Sequence, residues 1–270
     1  MPSMFSAHDA DSYERMMGRW SRRLAPLFIE HAGAGAGAGE RLLEVGCGTG
    51  SLTFTLARTV RFDELTAIDY AQVYVAAARA RSQDPRIRIE QGDATKLSFP
   101  DARFDRALSL LVLHFVSDPA AAVAEMRRVT RPGGVVAAAV WDSGGGMIAL
   151  RMFWDTAAML DPAAAELRGR AMSKAVCGPD GLARLFREAG LADVDERSLL
   201  VRMEHADFAD YWEPLLRGEG PMGSYVAGLG EPERARLEQH LRAAYLAGGP
   251  DGPRSFTAVA WSCRGIVPGS

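Results

Sequence analysis

Along this chain of 270 residues, apolar positions follow two alternating rhythms. Short runs of branched and aliphatic residues at 42–45, 65–68, 87–89, 107–113 and 135–141 are bounded by turn residues and read as buried strands. The segments between them, at 51–59, 71–81 and 118–131, place apolar residues at helical spacing. Asp118 followed by Pro119 is a favoured helix start, and Pro132, Gly133 and Gly134 stop that helix ahead of the next strand. Regular alternation of strand and helix predicts an α/β fold with a doubly wound, mainly parallel sheet, because neighbouring parallel strands need a crossover helix. The strand at 107–113 is apolar without interruption, as a central strand covered on both faces requires.

The flanking stretches have a different texture. Residues 10–31 carry a helical stripe of Tyr13, Met16, Met17, Trp20, Leu24, Leu27 and Phe28, interrupted by Gly18 and Pro26, which predicts two short helices. The alternating Gly-Ala run at 33–39 is a flexible joint with no side chain able to do chemistry. Residues 147–159 are rich in Met, Phe and Trp at helical spacing; they form either the core face of a helix or the wall of an apolar pocket. A helix over 178–190 turns Leu182, Leu185 and Phe186 inward and leads to a strand at 193–203. Two helices are expected within 207–252, and a last strand at 256–263. The expected organisation is therefore an N-terminal helical lid and linker (1–39), an α/β core (40–142), a cap insertion (143–177), a core continuation (178–206), a second cap insertion (207–252) and a last strand with tail (253–270).

Composition narrows the function. With 48% hydrophobic and 24% charged residues the chain can bury a sizeable core. A net charge of −3 without any long basic run gives no electrostatic footprint for nucleic acid, so small molecules are favoured as substrates. The start is polar and no long apolar run occurs, so neither a secretory signal nor a membrane span is expected. Cys47, Cys177 and Cys263 are widely spaced and odd in number, which suits a reducing compartment, a cytoplasmic location and no structural zinc.

The chemistry concentrates at residues 41–56. An apolar strand runs into Gly46, Gly48 and Gly50, and a helix begins at Ser51, so a ligand can approach bare backbone at the positive end of that helix. A dinucleotide fingerprint would place its third glycine three residues after the second; here it follows after two, with Glu44 just ahead of the loop. This acidic-x-G-x-G-x-G pattern resembles motif I of class I S-adenosylmethionine-dependent methyltransferases. The likeness continues through an acidic residue at the tip of the second strand, Asp69, the group Gly92-Asp93-Ala94 after the third, the lead-in Phe99-Pro100-Asp101 to Phe104-Asp105, and Arg131-Pro132-Gly133-Gly134 before the fifth. It covers residues 41–142 almost continuously and looks most like the type 11 and ubiquinone/menaquinone-biosynthesis groups.

The resemblance implies a seven-stranded Rossmann-like sheet with its last strand antiparallel, and S-adenosylmethionine as cofactor, released as S-adenosylhomocysteine. The implied cofactor contacts are Glu44, Gly46, Cys47, Gly48 and Gly50 around the methionyl and ribose part, Asp69 and Tyr70 at the ribose, Asp93 and Ala94 at the adenine, and Leu110. Cys47 is expected as a small filler. Each acidic residue also has a plainer reading, Asp69 as a helix cap and Asp93 as a turn residue. Tyr13 and Trp20 belong either to a lid over the cofactor or to ordinary helix packing.

Methyl transfer needs few catalytic groups because the cofactor carries its own leaving group. His114, beyond the fourth strand, is the candidate base; alternatively it orients the loop. His205 and His240 have weaker claims, no magnesium cluster is apparent, and the D-P-P-Y pattern of base-methylating members is missing after the fourth strand. The expected activity is methylation of a small apolar or aromatic molecule. The rivals are a nicotinamide (NAD(P)) oxidoreductase, which shares the glycine loop and Asp69, and a non-catalytic cofactor-binding protein of the same fold.

Overall fold

A computed structural model describes residues 7–35, 37 and 39–269. Residues 1–6, Ala36, Ala38 and Ser270, which belong to the expected lid, linker and tail, lie outside the described residues. Seven strands form one sheet: β1 (Glu40–Val45), β2 (Phe62–Asp69), β3 (Ile87–Gln91), β4 (Phe104–Leu110), β5 (Thr130–Trp141), β6 (Ala192–His205) and β7 (Arg254–Ile266), in the order 3-2-1-4-5-7-6. The first five pair in parallel, and β7 lies antiparallel between β5 and β6. The order reverses between β1 and β4, which opens a crevice at their carboxyl ends.

Strand periodicity sorts side chains between the two faces. Leu42, Leu108 and Ala137 pack on one side with Leu24, Phe28 and Leu56; Leu43, Ala107 and Val136 pack on the other with Val123, Met126 and Phe186. The first layer is built by α2 (Arg19–Ala32) and α3 (Ser51–Thr59), while α4 (Gln72–Arg81) packs beside β2 and β3. The second is built by α5 (Pro119–Val129) and, beyond the cap, α8 (Gly181–Glu188).

Three elements differ from their sequence patterns. The N-terminal stretch is a nearly continuous helical run, from α1 (Ala10–Tyr13) through a π-helical turn over Glu14–Gly18 into α2, rather than two separate short helices. Pro26 sits inside α2, where the fully buried Leu24, Ala25 and Phe28 hold the helix against the sheet despite the missing N–H. Strand β4 stops at Leu110, short of residue 113, because Leu111 makes a last hydrogen bond to Ala139 O (2.7 Å) and then takes a positive φ of 64° that turns the chain away. Helix α5 ends at Val129, ahead of the proline, where the Thr130 hydroxyl donates to Met126 O (2.7 Å) and Thr130 goes extended into β5.

Beyond the sheet, α6 (Ile148–Leu160), α7 (Pro162–Met172), α9 (Phe208–Trp212), α10 (Gly220–Ala227) and α11 (Glu231–Leu246) enclose a core of their own. Phe153, Trp154, Phe208, Leu241 and Tyr245 are its buried centre. Met16 joins it from the π-helical turn, so the helical cap meets the N-terminal run directly.

Candidate active site

The glycine loop closes over the end of β2, where Gly46 N–H and Cys47 N–H both donate to Ile68 O at 2.8 Å. Gly46 has φ of 82°, and a Cβ there would lie 2.2 Å from the Val112 side chain; Gly50, at φ of 96°, caps the start of α3. Both positions therefore require glycine. Gly48 N–H donates to Asp69 Oδ2 and Ala71 N–H to Asp69 Oδ1, each at 2.8 Å, so Asp69 ties the loop to the start of α4 and still presents unused lone pairs. Burial raises the Asp69 carboxyl above its ordinary value against the pull of these amides.

Glu44 is almost completely buried beneath the loop and accepts from the Thr53 hydroxyl at 2.5 Å. Burial, aided by the nearby Asp69 charge, pushes its carboxyl up to about 8. Asp93 is held by its own turn, its Oδ1 accepting from Thr95 N–H (2.8 Å) and the Thr95 hydroxyl (2.7 Å). The Cys47 thiol is buried, its pKa pushed far up, and it offers no reactive thiolate.

These residues line one cleft. It gathers Tyr13, Glu44, Gly46, Cys47, Gly48, Asp69, Tyr70, Asp93, Ala94 and Leu110. Gly50 shapes the loop without lining the cleft. Trp20 does not belong to it: the indole is buried against the sheet, edge-on to His205 at 5.3 Å, with the Arg19 guanidinium 4.4 Å from its centre. The π-helical turn between Tyr13 and Trp20 is the cause, since its extra residue rotates the helix face and separates two side chains that a regular helix would align.

A second cavity adjoins the first, and Tyr13, Leu111 and Phe115 line both. Its walls are chiefly Met16, Met17, Trp141, Met147, Leu150, Trp154 and Met222. The stretch 147–159 thus divides: Met147, Leu150 and Trp154 face this cavity, Phe153 and Ala157 fill the cap core, and Met159 is exposed.

His114 also borders the second cavity, yet it is poorly equipped as a base. Its ring is buried, Nδ1 has no hydrogen-bond partner among the described residues, and burial together with the Lys174 charge lowers its pKa to about 3. Nor does the ring bond a backbone carbonyl; instead the carbonyl oxygen of His114 accepts from Lys174 Nζ at 2.5 Å. His205 packs under the N-terminal helix against Trp20, with a pKa of about 4 from burial and the Arg19 charge, and His240 is a half-buried residue on α11 whose Nδ1 meets Arg236 O at 2.8 Å.

Sequence reading missed the residue that closes the cleft. Glu219, fully buried ahead of α10, accepts from His8 N–H (3.0 Å), Asp9 N–H (3.1 Å) and the Tyr74 hydroxyl (2.8 Å). Tyr74 in turn packs on Tyr13 with ring centres 5.0 Å apart, and both line the cleft with Ala7. A single carboxylate from the cap thus pins the N-terminal segment across the opening. A lone glutamate between glycines gave no signal of this, because its partners lie some 145 and 210 residues away.

Comparison with known proteins bears on the same segment. Residues 43–138 match the family model described as Methyltransferase domain (type 11). An uncharacterized protein of Mycobacterium tuberculosis is 28% identical over 229 residues, spanning 84% of this chain and 82% of its own length. A ubiquinone/menaquinone biosynthesis C-methyltransferase of Bdellovibrio bacteriovorus is 37% identical over 105 residues, 38% of this chain and 45% of that one. Among solved structures, the YcgJ protein of Bacillus subtilis superposes with a TM-score of 0.61 at 20% identity, over 92% of this chain and 99% of that one, a likeness of fold.

Proposed function

We propose that the chain is a class I S-adenosylmethionine-dependent methyltransferase and that it methylates a small apolar or aromatic molecule held in the cavity beside the glycine-loop cleft. The observation that carries this reading is the shared wall: a cleft that holds Asp69 and Asp93 and a more apolar cavity meet at Tyr13, Leu111 and Phe115, as two reactants that must touch require.

The cleft's residues fit the cofactor. Asp69 has lone pairs left for a pair of ribose hydroxyls, Asp93 and the Ala94 amide suit an adenine edge, and the bare backbone at Gly48 admits a close approach under Tyr13. Glu44, beneath the loop, offers a carboxyl oxygen as acceptor to the ammonium of the methionyl part. When bound, the cofactor supplies an activated methyl group on a sulfonium leaving group. The protein's own work is then to orient and to exclude water: the Glu219 latch holds Ala7 and Tyr13 over the cleft, and the Met- and Trp-lined walls keep the acceptor side dry. His114, with its pKa near 3, takes no proton in this scheme and acts as wall and loop support.

The division into core and cap belongs to the same proposal, the cap core serving to wall the acceptor cavity. So does a cytoplasmic location, supported by three free and buried cysteines; no helix among the described residues is long and apolar enough to cross a membrane. Calorimetry with S-adenosylhomocysteine, NADH and NADPH tests the cleft, followed by a panel of small methyl acceptors for the cavity. Binding of the first compound alone is expected; binding of a nicotinamide nucleotide alone would reassign the cleft.

A further inference from the structure

The acceptor cavity is mainly apolar, with Tyr13, His114, Ser143 and Cys177 as neutral polar lining. Lys174, between α7 and α8, lines it with a half-buried side chain, its Nζ bonded to His114 O at 2.5 Å and 5.4 Å from the centre of the Phe115 ring. No carboxylate pairs with it among the described residues, and burial draws its pKa below the usual ammonium value, so the charged form is under-compensated where it stands. An ammonium has three N–H donors, and one backbone carbonyl and one aromatic face leave capacity for an anion. Phe115 lines both cavities, so the ring under this charge also borders the cleft.

We propose that Lys174 is the specificity-determining cation of the acceptor cavity, and that the methyl acceptor is an apolar molecule bearing an ionised carboxylate. The proposal rests on the reading of this cavity as the acceptor site. A carboxylate is selected over a phenol because it is ionised in water at neutral pH without help, whereas a phenol, with a pKa of about 10, would need a base that the neutral, enclosed His114 does not provide. A cationic or amine-bearing acceptor is disfavoured by like charge, and a wholly neutral one leaves the ammonium without a counter-ion.

The test measures binding, independent of turnover. Protein saturated with S-adenosylhomocysteine is titrated with medium-chain aliphatic and aromatic carboxylates, and with the primary amides, amines and phenols of the same carbon skeletons. The carboxylates should bind about ten-fold or more tightly than their amides, Lys174→Met should reduce that ratio to about two or less, and Lys174→Arg should keep most of it. Equal affinity for carboxylate and amide in the wild type, tighter binding of phenols or amines, absence of binding by every carboxylate, or a preference that survives Lys174→Met overturns the proposal. If Lys174→Met fails to fold, the wild-type ratio and Lys174→Gln decide. Failure of S-adenosylhomocysteine itself to bind would instead strike at the cofactor reading, so the two failures are told apart.

Discussion

Glu44 and Asp69 do different work at the same loop. The Glu44 carboxyl keeps its proton up to about pH 8 in the folded chain, whereas its ordinary value is 4.5. Between these values the native state binds more protons than the unfolded one, so stability falls as pH rises through that window, by ~1.4 kcal/mol per unit of pKa difference. Urea unfolding of the ligand-free protein at pH 5 and pH 8 should show this loss in the wild type and a smaller one in Glu44→Gln, which copies the protonated form. An equal loss in both would mean that Glu44 is already ionised in the fold. Asp69 accepts from the Gly48 and Ala71 amides and so ties the glycine loop to the residue ahead of α4. Asp69→Ala should weaken S-adenosylhomocysteine binding about ten-fold or more, with a smaller loss of stability; calorimetry showing unchanged affinity would reduce Asp69 to a structural tie. These acidic positions were readable because they stand at fixed places near the carboxyl ends of strands. Lys174 and Glu219 stand in irregular segments, where no period points to a partner.

At the level of elements, the latch is the feature most open to test. Glu219→Ala leaves two backbone amides and the Tyr74 hydroxyl without their acceptor and unpins the segment before α1. Each hydrogen bond to a carboxylate contributes about 1.5–3 kcal/mol, so the bound nucleoside should leave the cleft at least ten-fold faster, measured by stopped-flow displacement. An unchanged dissociation rate would show that the segment does not cover the ligand. The N-terminal run also marks where periodicity misleads: its apolar stripe was visible, but a π-helical turn rotated Trp20 into the core and left Tyr13 at the cleft. Strand β4 shows the same limit, since a hydrophobic run cannot reveal that Leu111 takes a positive φ and ends the strand.

For the whole molecule, the cap has its own core, and Leu241 lies fully buried within it. Leu241→Ala should lower stability by ~2–5 kcal/mol and speed amide exchange in α6 and α9–α11 more than in β1–β5. Uniform acceleration across the chain would show that sheet and cap unfold as one unit. The alternation of apolar runs and helical stripes determined the parallel half of the sheet, because residues that repeat every two or every 3.6 positions can bury a face in few ways. Glycine spacing and the two carboxylates after strands determined the candidate cofactor cleft, since those features depend on backbone freedom and on position relative to strand ends, both local properties. Which side chain closes the cleft, where the adjoining apolar cavity lies and what charge it holds were decided only by tertiary structure. Glu219, Lys174 and the Met-rich wall gain their meaning from neighbours far away in the chain, and burial, which sets the pKa of Glu44 and His114, is a property of the packed whole.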